Sequence, residues 1–254
     1  MTTLSINRFK FASASILAFS AITGFLAPAT ASAALVTGNA VITIDNSALA
    51  ASSINVSGGY PNGWIVSKFW DSSYNTTGIT GATTGGLTLP TTGSTSMNFA
   101  VNSNTTTISY PSAGPYGRTQ QATTMDTSVG TSTGQIGLSG GWLLTSAGGS
   151  GVLSPYDFKV QKTGSTWNIV TYDNAFGYQN FLKMTDVSES IIAGQLHLSG
   201  NLKWTGLWAL LVGANQNTVV GTFNLAPAAV PVPAAVWLFA SGLLGLLGVS
   251  RKKA

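Results

Sequence analysis

The chain has 254 residues, no cysteine, and a formal charge of +4 that belongs to its two ends. Between Ala34 and Val230 six Lys/Arg stand against seven Asp/Glu, so the interior carries no cationic surplus with which to hold nucleic acid. The missing cysteines exclude disulfides, thiol catalysis and thiolate metal sites together.

Arg8 and Lys10 precede the mostly apolar stretch Phe11–Leu26, and Pro28 and Ala31-Ser32-Ala33 follow it. Basic, then apolar, then small residues is the order of a secretory signal peptide. Signal peptidase is expected to cut after Ala33, leaving Ala34 first and removing 1–33 as a signal helix. The stretch 34–229 is long enough to bury one core without covalent staples. Charged residues make up only 7% of the chain, against ~25% in ordinary soluble domains. Gly, Ser, Thr and Asn take their place, a mixture suited to short strands joined by many turns.

Ile42 and Ile44 alternate with Val41 and Thr43, the first strand-like rhythm after the signal. SGGYPNG at 57–63 reads as a turn before the aromatic segment GWIVSKFWD at 63–71. Residues 75–110 are rich in Thr and Asn, yet Met97, Phe99, Val101, Ile108 and Tyr110 keep strand spacing. This region reads as strands with long loops. Leu89-Pro90-Thr91-Thr92-Gly93 is similar to the LPxTG motif of Gram-positive sortase substrates. In that family the motif directly precedes the apolar tail, whereas here it lies about 140 residues upstream of one. It is discarded as a chance match.

GQIGLSGGWLL places Ile136, Leu138, Trp142 and Leu144 on one side of a strand. Tyr156, Phe158 and Val160 then oppose Asp157, Lys159 and Gln161. KTGST at 162–166 reads as a hairpin loop with Gly164 at the position needing φ > 0. A turn of helix is allowed around Phe176–Met184. The clearest alternation is GQLHLSGNLKWTG, with Leu196, Leu198, Leu202 and Trp204 apolar and the odd positions polar. About ten short strands with one wet face each predict an all-β fold. We expect a single antiparallel β-sandwich with Greek-key or jelly-roll-like wiring.

The last segment is VPVPAAVWLFASGLLGLLGVSRKKA. From Ala234 to Val249 every residue is apolar or small, ~24 Å of helix against a hydrocarbon core of ~30 Å. Pro233 suits a first helical turn, and the prolines hold the preceding chain extended, as a protease or transpeptidase requires. Arg251, Lys252 and Lys253 form a basic stop on the cytoplasmic side. This tail resembles the VPxPA variant of the PEP-CTERM family: Val230-Pro231-Val232-Pro233-Ala234, an apolar run containing the Gly-spaced SGLLGLLG, then the basic end. The resemblance covers 230–254. It implies sorting by an exosortase, a membrane-embedded transpeptidase of Gram-negative bacteria that make exopolysaccharide. It also implies removal of the tail near the proline motif and delivery to the cell surface or extracellular matrix. A permanent anchor would need neither the paired prolines nor the spaced glycines.

Little in 34–229 points to catalysis. His197 is the only histidine and falls on a polar strand face, without the GxSxG or HExxH pattern of a nucleophile or zinc site. Asp186 and Glu189, and the pair Asp173-Asn174, are the acidic groups nearest to a carboxylate pair or a Ca²⁺ loop, but the required spacings are absent. No cofactor or metal is expected. Aromatic rings beside polar groups stack on sugar faces, which makes Trp70, with Asp71 and Trp64, the candidate carbohydrate site. The sequence therefore predicts an exported, non-enzymatic matrix or surface protein. A carbohydrate-binding module acting on exopolysaccharide is the alternative, and a polysaccharide hydrolase or lyase the third reading.

Overall fold

The computed structural model describes residues 35–53, 63–71, 86–103, 106–109, 117–146, 151–173 and 176–228. The chain divides into two units, Met1–Ala33 and Ala34–Ala254, and the first lies outside the described residues. The second opens with β1 (Asn39–Asp45), α1 (Asn46–Ser52), β2 (Trp64–Trp70), β3 (Leu87–Thr88) and β4 (Ser94–Val101). Then come β5 (Thr106–Ser109), β6 (Gly117–Gln120), β7 (Ile136–Ser139), β8 (Gly141–Ser146) and β9 (Val152–Leu153). The remainder is β10 (Tyr156–Thr163), β11 (Thr166–Asp173), β12 (Gly177–Ile192), β13 (Gln195–Trp204), α2 (Gly206–Leu211) and β14 (Val219–Ala226).

The chain is all-β and antiparallel, but it is a closed barrel and not a sandwich. Around the ring the order is β1, β4, β7, β10, β11, β12, β13, β14 and back to β1. These neighbours follow chain order, so the wiring is up-and-down, without a Greek-key crossing. Alternation tells which face of a strand is buried and leaves open which strands pair. Here β1 pairs with β14 through Asn39↔Ala226 to Ile44↔Gly221, and with β4 through Asn39↔Ala100 to Asp45↔Ser94. Both edges of β1 are thereby used, and the sheet has no free edge. Three connections carry inserted strands, and the β13–β14 connection carries α2. The β1–β4 and β7–β10 connections supply the four-stranded sheet β3-β2-β8-β9, and the β4–β7 connection supplies the hairpin β5-β6.

Ile42, Ile44, Met97, Phe99, Leu198, Leu202, Phe223 and Leu225 point inward and are buried. Ser96, Asn98, Thr222 and Asn224 alternate with them and are exposed. A barrel with apolar filling and a polar outer wall is built to stand in water, the inverse of a lipid-facing barrel. Among the described residues no helix is long and apolar enough to cross a membrane.

The small sheet packs into the same core. Its Trp142 ring meets Phe158 at 5.0 Å, Phe181 at 5.7 Å and Phe99 at 6.0 Å, and Phe181 continues to Trp204 at 5.4 Å and Trp208 at 5.4 Å. Most of these contacts are edge-on, the arrangement that ring quadrupoles favour, and each is worth about 0.5–1.5 kcal/mol beyond its burial. Ile136–Leu138 and Trp142–Leu144 share the core as expected, but on two strands in different sheets. Gly140 (φ +144) turns the chain between them. β2 is fastened to α1 by one buried side chain. Asn46 Nδ2 donates to Val66 O at 2.9 Å and to Pro90 O at 2.6 Å, and Asn46 Oδ1 accepts from Val66 N at 2.9 Å. The Leu89–Gly93 segment is thus part of the fold around α1: Leu89 is buried, and Gly93 O accepts from Asn46 N at 2.9 Å.

Three local readings are settled here. Gly164 has φ +60 in the two-residue loop that joins Thr163 to Thr166, as expected. Phe176–Met184 is no helix, because Gly177–Met184 is the first half of β12. Asp157 leaves the polar face: the register slips between Tyr156 and Lys159, Asp157 takes φ +54, and the residue is buried. The β12–β13 hairpin, not foreseen, closes through Ala193 (φ +50) and Gly194 (φ +78). A turn with two left-handed residues favours Asn-Gly, and alanine there is strained. We expect Ala193→Asn to raise the urea midpoint, stabilising the barrel by about 1 kcal/mol; an unchanged or lower midpoint would contradict that turn geometry.

Candidate functional site

Val230, Pro231, Val232, Pro233 and Ala234, the basic stop Arg251, Lys252 and Lys253, and the cleavage residues Ala31, Ala33 and Ala34 lie outside the described residues. What is described is the barrel from which that tail departs. The sugar-stacking expectation at β2 is corrected. Trp64 and Trp70 are both buried, and Asp71 is half-buried. β2 pairs with β3 on one side and β8 on the other, and Trp70 is roofed by Gly86, where an added Cβ would come within 2.7 Å of the indole Nε1. No ring face is left at Trp70 for a sugar.

Among the described residues the exposed aromatics are Phe176 and Tyr178, and Tyr178 belongs to a row of tyrosines. Tyr156, Tyr172 and Tyr178 are cross-strand partners on β10, β11 and β12, with ring centroids 5.8 and 5.1 Å apart. Lys159 Nζ sits 4.5 Å from the Tyr178 ring centre and donates to Gln135 Oε1 at 2.9 Å. Burial lowers the pKa of this ammonium. Tyr156 is buried and the Tyr172 and Tyr178 planes stand 83° apart, so the row is not a coplanar platform. Only strand pairing brings these residues together, and single-strand alternation could not show it.

A shallow polar cleft of about 310 Å³ opens on the outer wall of β12, β13 and β14. Asp186, Ser199, Asn201, Thr222 and Asn224 line it, with the backbone of Gly200 and Phe223 as part of its floor. A bulge creates it: the register slips between Thr185 and Ser188, and Asp186 takes φ +52. Asn201 Nδ2 donates to Asp186 Oδ2 at 2.9 Å. One carboxylate, two carboxamides and two hydroxyls suit a hydroxyl-rich ligand; the Phe223 ring is buried in the core and offers no stacking face.

Glu189 is spoken for. Its Oε2 lies 2.8 Å from Lys162 Nζ and accepts from Trp167 Nε1 at 2.8 Å, while Thr131 donates its hydroxyl to Oε1. Partial burial by itself would raise the pKa. The hydrogen bonds from Lys162, Thr131 and Trp167, with the lysine charge, outweigh that and hold it below the ordinary glutamate value. A carboxylate kept ionised in this way is no general acid at neutral pH. Asp186 has separate partners, so the two acids of TDVSES form no pair. His197 is exposed, opposite Ser190. Among the described residues no three His, Asp or Glu side chains gather as a metal site would require.

The class these features define is a water-facing, up-and-down β-barrel with a filled interior. Compared with known protein families, curated proteins and solved structures, the chain matches none.

Because the folded pKa of Glu189 lies below its unfolded value of about 4.3, its contribution is present above that pH and is lost as pH falls through the folded value. We expect Glu189→Gln to cost about 1 kcal/mol at pH 7, modest because the group is partly exposed. The difference from the unsubstituted protein should shrink in urea titrations as pH falls through the lowered folded value. A difference that stays the same at every acidic pH at which the protein remains folded would contradict the ionised clasp.

Proposed function

We propose that this is an exported, non-enzymatic β-barrel, sorted through its PEP-CTERM-like tail and released or displayed as a component of an exopolysaccharide matrix. One observation carries the reading: the barrel is complete before the proline motif. β14 ends at Ala226, paired along its length with β1 and β13, whereas the motif begins at Val230. Cutting near Val230–Ala234 therefore takes no strand from the described barrel and opens none of its edges. The polar outer wall supports life in water after release. Signal peptidase and an exosortase-type transpeptidase are the partners this requires, with membrane contact through the tail until it is severed.

Binding of the exopolysaccharide itself is the second reading, favoured by the polar cleft beside Asp186. The hydrolase reading gains nothing from Asp186 and Glu189, which have separate partners, Glu189 being held as an anion by three donors.

Intact-mass measurement of the protein from the surface or medium tests the sorting. The expected species starts near Ala34 and lacks Trp237 and everything after it. A secreted species that keeps Arg251, Lys252 and Lys253 would overturn the reading.

A further inference from the structure

The barrel end at which the described chain stops is also an end that carries several exposed aliphatic side chains. The start of β1, the end of β14 and the tip of the β12–β13 hairpin meet there, through Asn39↔Ala226 and Leu198↔Leu225. At this rim Leu35, Val129, Ile191 and Ile192 are exposed at 41, 71, 46 and 57%. Their neighbours are tied to one another. Leu35 bridges to Asp126, Thr37 Oγ1 donates to Gln195 Oε1 at 3.4 Å, and Thr127 Oγ1 donates to Gly194 O at 2.5 Å. Val129 lies between Thr127 and the Thr131 that binds Glu189. The hairpin stands proud of the wall: every residue from Asp186 to Gly194 is exposed.

Ile191 and Ile192 are successive strand residues and point to opposite faces. A flat protein partner covers one face of such a tip; a fluid apolar medium surrounds both. From Ser190 to Leu198 the hairpin carries no Lys, Arg, Asp or Glu, and the nearby Glu189 is neutralised by Lys162. The chain leaves the described barrel at Ala228, and the apolar run begins at Ala234. Those few residues reach roughly 20 Å at full extension, which keeps this rim close to whatever surface the run enters. The other exposed aliphatics among the described residues are scattered: Leu87 and Val152 on the small sheet, Leu210 on α2, Val187 at the β12 bulge, and Val219 at the start of β14, the end of that strand away from Ala226.

We propose that this rim docks on the lipid surface, with the Ile191–Ile192 tip set among the headgroups, and holds the barrel end-on over its own processing segment until release. The inference rests on the reading that the tail enters the membrane. Apolar burial without basic residues makes the docking insensitive to salt.

The absence of cysteine makes the test clean. Full-length protein carrying one of Val129→Cys, Ile192→Cys, Gln216→Cys or Leu243→Cys is labelled with a polarity-sensitive fluorophore. It is then reconstituted into phosphatidylethanolamine–phosphatidylglycerol vesicles containing a spin-labelled lipid quencher. Gln216, exposed just before β14 at the opposite end, is the control. Labels at 129 and 192 should lose most of their emission, at low and high salt alike, while the label at 216 keeps its own. Quenching at 243 without quenching at 129 and 192 would overturn the docking and leave the inserted tail standing. No quenching at 243 would bring down the tail reading as well. Self-quenching between labels at 192 that follows protein concentration, not lipid, would make the rim a contact between copies and overturn the proposal.

Discussion

Strand β1 is hydrogen-bonded along both edges, to β14 on one side and β4 on the other, and these two ladders turn a meander into a ring. Much else depends on them. They bring Asn39 beside Ala226, the first and last residues of the strand order, so the ring closes only when distant parts of the chain have met. Such non-local closure is slow in folding but leaves no edge for another chain to extend. It also aligns the inward residues of β1, β4 and β14, so that Ile42, Met97 and Phe223 enter one core.

Within that ring the polar groups are spent on holding pieces together. Asn46 supplies both a donor and an acceptor to Val66, in effect an extra strand residue for the small sheet. Ser52 Oγ accepts from the buried indole of Trp204 at 3.0 Å, which ties α1 to β13. The Lys162–Glu189 pair, with Trp167 and Thr131, fastens the protruding part of β12 to β10, β11 and the loop before β7. The single glutamate of the chain is a clasp. With Glu189 paired to Lys162, the acid that remains beside the aliphatic residues of the exit rim is Asp126, which accepts from Ser128.

The sequence was legible where one strand decides its own surroundings. β13 alternates as its residues predict, because Leu196, Leu198, Leu202 and Trp204 face one core along an almost regular ladder. Gly164 could be placed because only its backbone freedom was at issue. Pairing was not legible. Closure into a barrel depends on β1 finding two partners, which no local pattern encodes. Asp157 is buried because one extra residue in β10 shifts the register, and a bulge of that kind has no hydropathic signature. Trp70 reads as a ring beside a polar loop; it is buried between β8, where it pairs with Gly141, and a close approach by Gly86, sixteen positions later and silent in any period-two reading. The tail is the converse case: its reading rests on composition and motif alone, and it lies outside the described structure.

A barrel that is finished at Ala226 should be indifferent to the segment that follows. Amide hydrogen exchange on the full-length protein and on a chain ending at Ala229 measures this at β1 and β14 directly. The account predicts equal protection at Ala40–Ile44 and Val220–Leu225 in both. Loss of protection in those two strands when the tail is missing would mean that the tail belongs to the fold, and a segment that belongs to the fold is not one to be cut away.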